Sequence, residues 1–275
     1  MVRRSSASLL AGACLSVSAL VPSARGAVST GASVLNYSPG TLTGGYAYGS
    51  SSWTVGPAIG LPATTEGGYY GDTSVITPFN AQYNPADFVG LGGTGGVIEF
   101  QLSAPISTAG FTLGIQTGSG LNDAVGDGTN YATASDYTNP REATVLVSSN
   151  GVNWVSLGDH VFTNPTNVYA DVSGPYTSTP GSDPANFAEA FTGNLSSFNG
   201  EDFQQVLATL NGSGGGDWFN LSGTGLSSVD YVELETTGTE SMYVNAVTGT
   251  ALPEPASLAA VALALPLLGR RRRTV

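Results

Sequence analysis

His160 is the only histidine in the 275-residue chain and Cys14 the only cysteine. A Ser-His-Asp triad would have to be built around His160, and no Gly-x-Ser-x-Gly elbow accompanies it. His160 follows closely on an apolar strand candidate, the usual setting of a structural or surface histidine. Metal sites of the His/Cys type are excluded by the count. Paired carboxylates of the kind that cleave glycosides stay open, because Glu233 and Glu235 alternate onto one face of a strand. The same alternation describes an ordinary solvated face, so no catalytic residue is assigned and no enzyme is expected. A cation site is the better candidate. Asn122, Asp123, Asp127 and Asp136 crowd one long loop, and Asp127-Gly128 offers a sharp turn. Hard oxygen ligands on loops suit Ca²⁺, the one cofactor left open. Their spacing is not that of an EF-hand, and turn-forming Asp and Asn give a plain polar loop the same composition. Tyr69, Tyr70, Tyr83, Tyr131 and Tyr137 fall in loops where rings can stack on sugars, whereas Trp154 and Trp218 adjoin apolar runs and read as core.

These side chains must be carried by strands. Val97–Leu102 and Phe111–Ile115 alternate large apolar with polar or small residues, the period of a half-buried strand. Ala143–Ser148 and Val152–Leu157 flank Ser149-Asn150-Gly151, whose Asn-Gly pair favours the positive φ of a tight hairpin. Shorter strands are expected at Ser33–Tyr37, Ala47–Thr54 and Ser74–Thr77, and later ones at Val229–Glu235 and Met242–Val247. Residues 116–141 and 163–186 read as loops. One helix interrupts the pattern at Glu201–Leu210, with Phe203, Val206, Leu207 and Leu210 on one face and Gly212 onward stopping it. Many short strands joined by Gly- and Pro-rich turns predict an all-β fold, a jelly-roll type β-sandwich with one short helix.

Charge narrows the partners. No lysine occurs, and between residues 28 and 253 nineteen acids face Arg141 alone, a net charge of −18. Such a surface repels nucleic acid and anionic lipid. It suits solubility outside the cell, divalent cations or neutral glycans. Only 10% of the chain is charged while 41% is hydrophobic, the composition of a folded domain.

Both ends carry addresses. Arg3 and Arg4 precede an apolar run from Leu9 to Val21 and small residues up to Ala27, the layout of a signal peptide over 1–27. Ala11-Gly12-Ala13-Cys14 makes a poor lipobox, because the large apolar residue three before the cysteine is missing. The single cysteine falls in this leader, so the mature chain has no thiol. At the other end Pro253-Glu254-Pro255 leads into an apolar segment to Gly269 and then Arg270, Arg271, Arg272 and Arg273. The seventeen residues Leu252 to Leu268 are at the short end of a membrane span, and the four arginines belong on the cytoplasmic side. Pro266 makes the segment a poor permanent helix.

This tail resembles the PEP-CTERM sorting signal, in which the tripeptide, the hydrophobic segment and the arginine cluster are recognised by an exosortase, a membrane cysteine transpeptidase that cuts near the tripeptide. The resemblance implies a sorting signal over 251–275 and inner-membrane attachment before processing, which leaves the expected β-sandwich domain over 28–250. The destination would be the cell surface or extracellular matrix. Ala143–Gly158 and Gly96–Ile106 look like strands of discoidin-like, galactose-binding-like jelly rolls. Tyr37–Gly40, Thr77–Asn80, Gly212–Phe219 and Asn245–Val247 are similar to stretches of exported PEP-CTERM proteins on that sandwich. No ligand follows from this likeness. The expected partners are the exosortase, the inner membrane and, as the alternative function, extracellular polysaccharide bound by a carbohydrate-binding module. A β-sandwich glycoside hydrolase is the more distant alternative.

Overall fold

The computed structural model describes residues 27–41, 59–67, 73–81, 88–93, 95–123, 141–238 and 241–252. The expected strand at Ala47–Thr54 lies outside them. The described chain is all-β, with strands β1 (Val28–Ser38), β2 (Thr65–Gly67), β3 (Thr73–Val75), β4 (Val89–Leu91), β5 (Val97–Ile106), β6 (Phe111–Thr117), β7 (Arg141–Ser148), β8 (Val155–Phe162), β9 (Asp217–Asn220), β10 (Val229–Thr236) and β11 (Met242–Thr250). Among the described residues one α-helix, α1 (Phe203–Leu210), and a 3-10 turn at Leu195–Phe198 precede β9.

Among the described residues nine strands form one sheet: eight follow the path β8-β7-β10-β5-β1-β11-β6-β9 and β4 lies beside β11, while β2 and β3 pair separately. Each of these ladders is antiparallel. β1 belongs to both halves: Val28 to Thr30 pair with β11, and Gly31 to Ser38 pair with β5 across two register breaks. Irregular pairing of this kind bends a strand, which lets β1 cross from one half-sheet to the other. Ile98, Phe100, Val145, Val147, Val232 and Leu234 of the first half share one core with Leu113, Ile115, Val244 and Val247 of the second. Each such side chain contributes roughly 1.5–3 kcal/mol when fully buried.

The second half-sheet is also covered on its other face. Trp218 of β9 packs there with Phe203, Val206, Leu207 and Leu210 of α1 and with Phe79 and Phe198. The helix begins two residues later than the acidic pair at 201–202 predicts, because Asp202 is its N-cap. The Asp202 carboxylate accepts from Gln205 N (2.9 Å), and the Gln205 side chain accepts from Asp202 N (2.9 Å), a capping box. Asn211, at φ 50°, ends it in the left-handed region.

The hairpin departs from expectation. Ser148 Oγ accepts from the N–H groups of Asn150 and Gly151, and Asn150 Oδ1 accepts from those of Val152 and Asn153. Side-chain turns therefore replace the two-residue backbone turn. Among its residues only Gly151 (φ 68°) is left-handed. The next strand starts at Val155 rather than Val152, and Trp154 is half-buried rather than core. Trp218 is buried as expected.

The Trp218 indole lies against Gly114 and donates its N–H to Gly215 O at 3.0 Å. A Cβ on Gly114 would meet the indole at 2.9 Å. Because the ring is pinned, Gly114→Ala should lower the unfolding free energy by about 1–3 kcal/mol. Urea unfolding of the two proteins measures it, and an unchanged midpoint would contradict this packing.

Candidate functional site

A glycine turn brings Asp217 to the end of the sheet. Gly215 and Gly216 have φ values of 69° and 79°, and Gly216 N donates to Pro165 O at 2.9 Å. Asn167 N donates to Gly214 O at 3.0 Å. The turn thus holds the segment that follows β8 against the start of β9. Asp217 itself is 2% exposed. Its Oδ2 accepts from Thr163 N (3.0 Å) and Asn164 N (3.2 Å), and its Oδ1 from Asn164 Nδ2 (3.2 Å) and His160 Nε2 (3.0 Å). A carboxylate partner on Nε2 places the proton of a neutral imidazole there. Burial pushes the Asp217 carboxyl above its ordinary range, opposed first by the His160 bond and then by the two backbone donors.

β8 and β9 are the two ends of the strand path, so this one carboxylate joins the edges that no ladder joins. His160 reaches it because β8 contains a bulge. Val145 pairs with Gly158 and Leu146 with Ser156, which leaves Leu157 extra, and Gly158 sits at φ 92°. Before the bulge Val155 and Leu157 pack on the core; after it Phe162 is buried, and His160 points the same way. The inward parity switches from odd to even. The His160 ring then stands edge-on between Phe162 (5.0 Å, 79°) and Phe219 (4.8 Å, 67°).

Beside the pair lies a cleft of about 180 Å³. Its lining includes the aromatic residues Phe111, Phe191 and Trp218 and the polar residues Asn164, Thr192 and Asn194. Phe111 is 44% exposed. Phe191 is stacked on Phe198 at 5.1 Å. Asn164 Oδ1 is buried without a hydrogen-bond partner.

Of the residues singled out from the sequence, His160 and Trp218 lie here and the cation candidates do not. Of the cation candidates, Asn122 and Asp123 are described, and Asp123 Oδ2 accepts from Tyr176 OH at 3.0 Å. Asp127 and Asp136 lie outside the described residues, as do the five loop tyrosines. No group of three or more His, Cys, Asp or Glu placed to hold a metal occurs among the described residues. Pro253, Glu254, Pro255 and Arg270 to Arg273 also lie outside. No helix among the described residues is long and apolar enough to cross a membrane. His160 and the Gly212–Phe219 stretch are brought together, whereas Asn164 carries no signal in the sequence. A lone Asp between a glycine run and Trp-Phe was the legible hint, since a carboxylate there has to be buried with partners.

The acidic pair does share a face, and a third acid joins it: Glu233 pairs directly with Glu99. Burial first, then Glu235 and Glu99, raise the Glu233 carboxyl. The folded chain therefore holds that proton more tightly than the unfolded one. The penalty is absent below the unfolded value of about 4.3 and complete above the folded one. Glu233→Gln should stabilise the protein at pH 7, by less than about 1 kcal/mol for so open a site, with the gain fading toward pH 4. Thermal melts across pH 4–8 check this.

Asp217→Ala leaves two backbone N–H groups unpaired and should cost about 2–5 kcal/mol. His160→Phe removes one donor of four and should cost about 1 kcal/mol. Denaturant midpoints separate the two, and equal losses would mean that the backbone bonds carry nothing.

The chain matches no family model, no curated protein and no solved structure.

Proposed function

We propose that the chain is an exported, non-enzymatic surface or matrix protein, delivered by its signal peptide and processed by an exosortase at a C-terminal PEP-CTERM signal. The order of Pro253-Glu254-Pro255, the apolar segment and Arg270–Arg273 carries this reading. Pro253-Glu254-Pro255 is the recognition tripeptide, residues 256–269 stop in the membrane, and the arginines hold the tail on the cytoplasmic side. The finer fold reading, a jelly roll of the discoidin-like kind, belongs to the same proposal and is supported by the antiparallel half-sheets around one core.

The edges of the domain support it too. Ala251 N donates to Ala27 O at 2.8 Å, Val28 pairs with Thr250, and Leu252 N donates to Pro105 O at 2.9 Å. Removing residues 1–26 and everything from Pro253 would leave each of these bonds intact. These bonds lie wholly within residues 27–252, between the two expected cuts. A leader cut after Gly26 keeps the Ala27 acceptor, and a cut after Ala27 loses it.

Intact mass of cell-associated and secreted protein, with and without the exosortase of the host, tests the proposal. The expected product ends near Pro253 and is made only when the enzyme is present. Chains ending at Val275 in both strains would leave a membrane-anchored sandwich and remove the sorting claim. Changing the four arginines to Ser should release full-length protein, and unchanged membrane retention would contradict their role.

A further inference from the structure

We propose that Asn199-Gly200 is a self-modifying site, where the asparagine converts to aspartate and isoaspartate without an enzyme. The proposal is independent of how the tail is processed.

The chemistry needs an amide carbon, a backbone nitrogen one residue on, and no side chain in the way. Asparagine followed by glycine supplies all of these. The glycine nitrogen gives up its proton to solvent base and attacks the asparagine Cγ. The new C–N bond closes a succinimide ring, and the side-chain nitrogen takes up a proton and leaves as ammonia. Water then opens the ring. Attack at the Cγ carbonyl gives aspartate; attack at the main-chain carbonyl gives isoaspartate, in which the chain runs through Cβ. One water is consumed and one ammonia released, and nothing is oxidised or reduced.

Three Asn-Gly pairs occur in the sequence, at Asn150-Gly151, Asn199-Gly200 and Asn211-Gly212. All three asparagines are exposed, so exposure does not rank them. Bracing does. Ring closure requires the asparagine Cα–C bond to rotate until the glycine nitrogen meets Cγ, and the pair held by the fewest bonds turns most easily.

Asn150 is held at both reacting groups. Its Oδ1 accepts from Val152 N and Asn153 N at 2.9 Å each, and Gly151 N donates to Ser148 Oγ at 3.0 Å. Asn211-Gly212 is held along the backbone at the end of α1. Asn211 N donates to Leu207 O and Ala208 O at 3.1 Å each, Asn186 N donates to Gly212 O at 2.8 Å, and Ser213 N to Leu210 O at 2.9 Å.

Asn199-Gly200 differs from both. Asn199 (φ −63°, ψ 121°) and Gly200 (φ 75°) are the two corners of a type II turn. A single 3.2 Å bond from Glu201 N to Phe198 O spans it, and Asn199 N reaches Ser196 O only at 3.4 Å. Among the described residues, neither the Asn199 side-chain amide nor the Gly200 N–H has a hydrogen-bond partner. Gly200 is itself exposed, with nothing within 4 Å of where a Cβ would stand. The nucleophile and the carbon it attacks are both free, and opening the turn breaks its one spanning bond.

The turn's place gives the product a consequence. It links Phe198 and Phe203, both buried against the covered face of the second half-sheet. Isoaspartate adds a backbone atom between these two anchors. Either product also adds a carboxylate beside Glu201 and Asp202.

The experiment is peptide mapping by mass spectrometry, with chromatographic separation of aspartate from isoaspartate, on the intact chain in detergent. Samples are taken through a long incubation in mildly alkaline buffer, with and without urea. In the folded chain Asn199 should convert at least about tenfold faster than Asn150 or Asn211, because each of those has two or more further hydrogen bonds to break. In urea the three rates should converge, since only the fold separates them. Ser148→Ala frees Gly151 N–H and should speed Asn150 by about fivefold to tenfold. Asn199→Gln, at an exposed side chain, should remove the product at this turn without moving the thermal midpoint. An Asn199 that stays intact, or an Asn150 or Asn211 that converts as fast in the folded chain, would overturn the proposal. So would the same ranking in urea, which would assign the difference to sequence neighbours and not to bracing.

Discussion

The Asp217 carboxylate is the constraint on which the rest of this structure depends. The eight-strand path has two ends, β8 and β9, and open edges present unpaired N–H and C=O groups to other chains. Here the ends meet without forming a ladder. Two oxygen atoms gather two backbone N–H groups, an amide and an imidazole. Taking a carboxylate out of water is costly, and only a full set of donors offsets it. Satisfying that set fixes the residues after β8, the turn before β9 and the ring of His160 together. The cleft is what remains between parts placed by this one group.

Much of the geometry upstream follows from where glycine sits. Gly158 lets β8 carry one extra residue, and that residue turns His160 inward. Gly215 and Gly216 deliver Asp217 from the other side. Gly114 leaves room for the Trp218 ring to lie on the sheet. Glycines at φ > 0 or under a ring are the positions where a side chain would block the arrangement. They occur on β8, in the turn that leads into β9, and on β6 beside β9.

Strand and helix identities were largely legible in the sequence, because apolar alternation is local. Val97–Leu102 became β5 and lengthened to Ile106, and the apolar spacing at Phe203–Leu210 became α1. The hairpin was legible in place but not in form. Asn150 and Ser148 bond their own backbone neighbours, and that competition cannot be read from an Asn-Gly pair. The bulge at Gly158 was not legible, because parity changes only when the partner strand is known. His160 therefore read as a lone histidine, although Asp217, 57 residues away, defines it. The acids at Glu233 and Glu235 were correctly placed on one face, and Glu99 joined them only through strand pairing.

Amide hydrogen exchange at Thr163 and Asn164 tests the central claim most directly. Both residues follow the last strand residue of β8, and their N–H groups end on one buried carboxylate. If that carboxylate closes the sheet, these two amides should exchange as slowly as those of β7 and β10, and much more slowly than Val152 in the hairpin turn. Exchange as fast as in that turn would show that the ends of the sheet open freely and that Asp217 does not hold them.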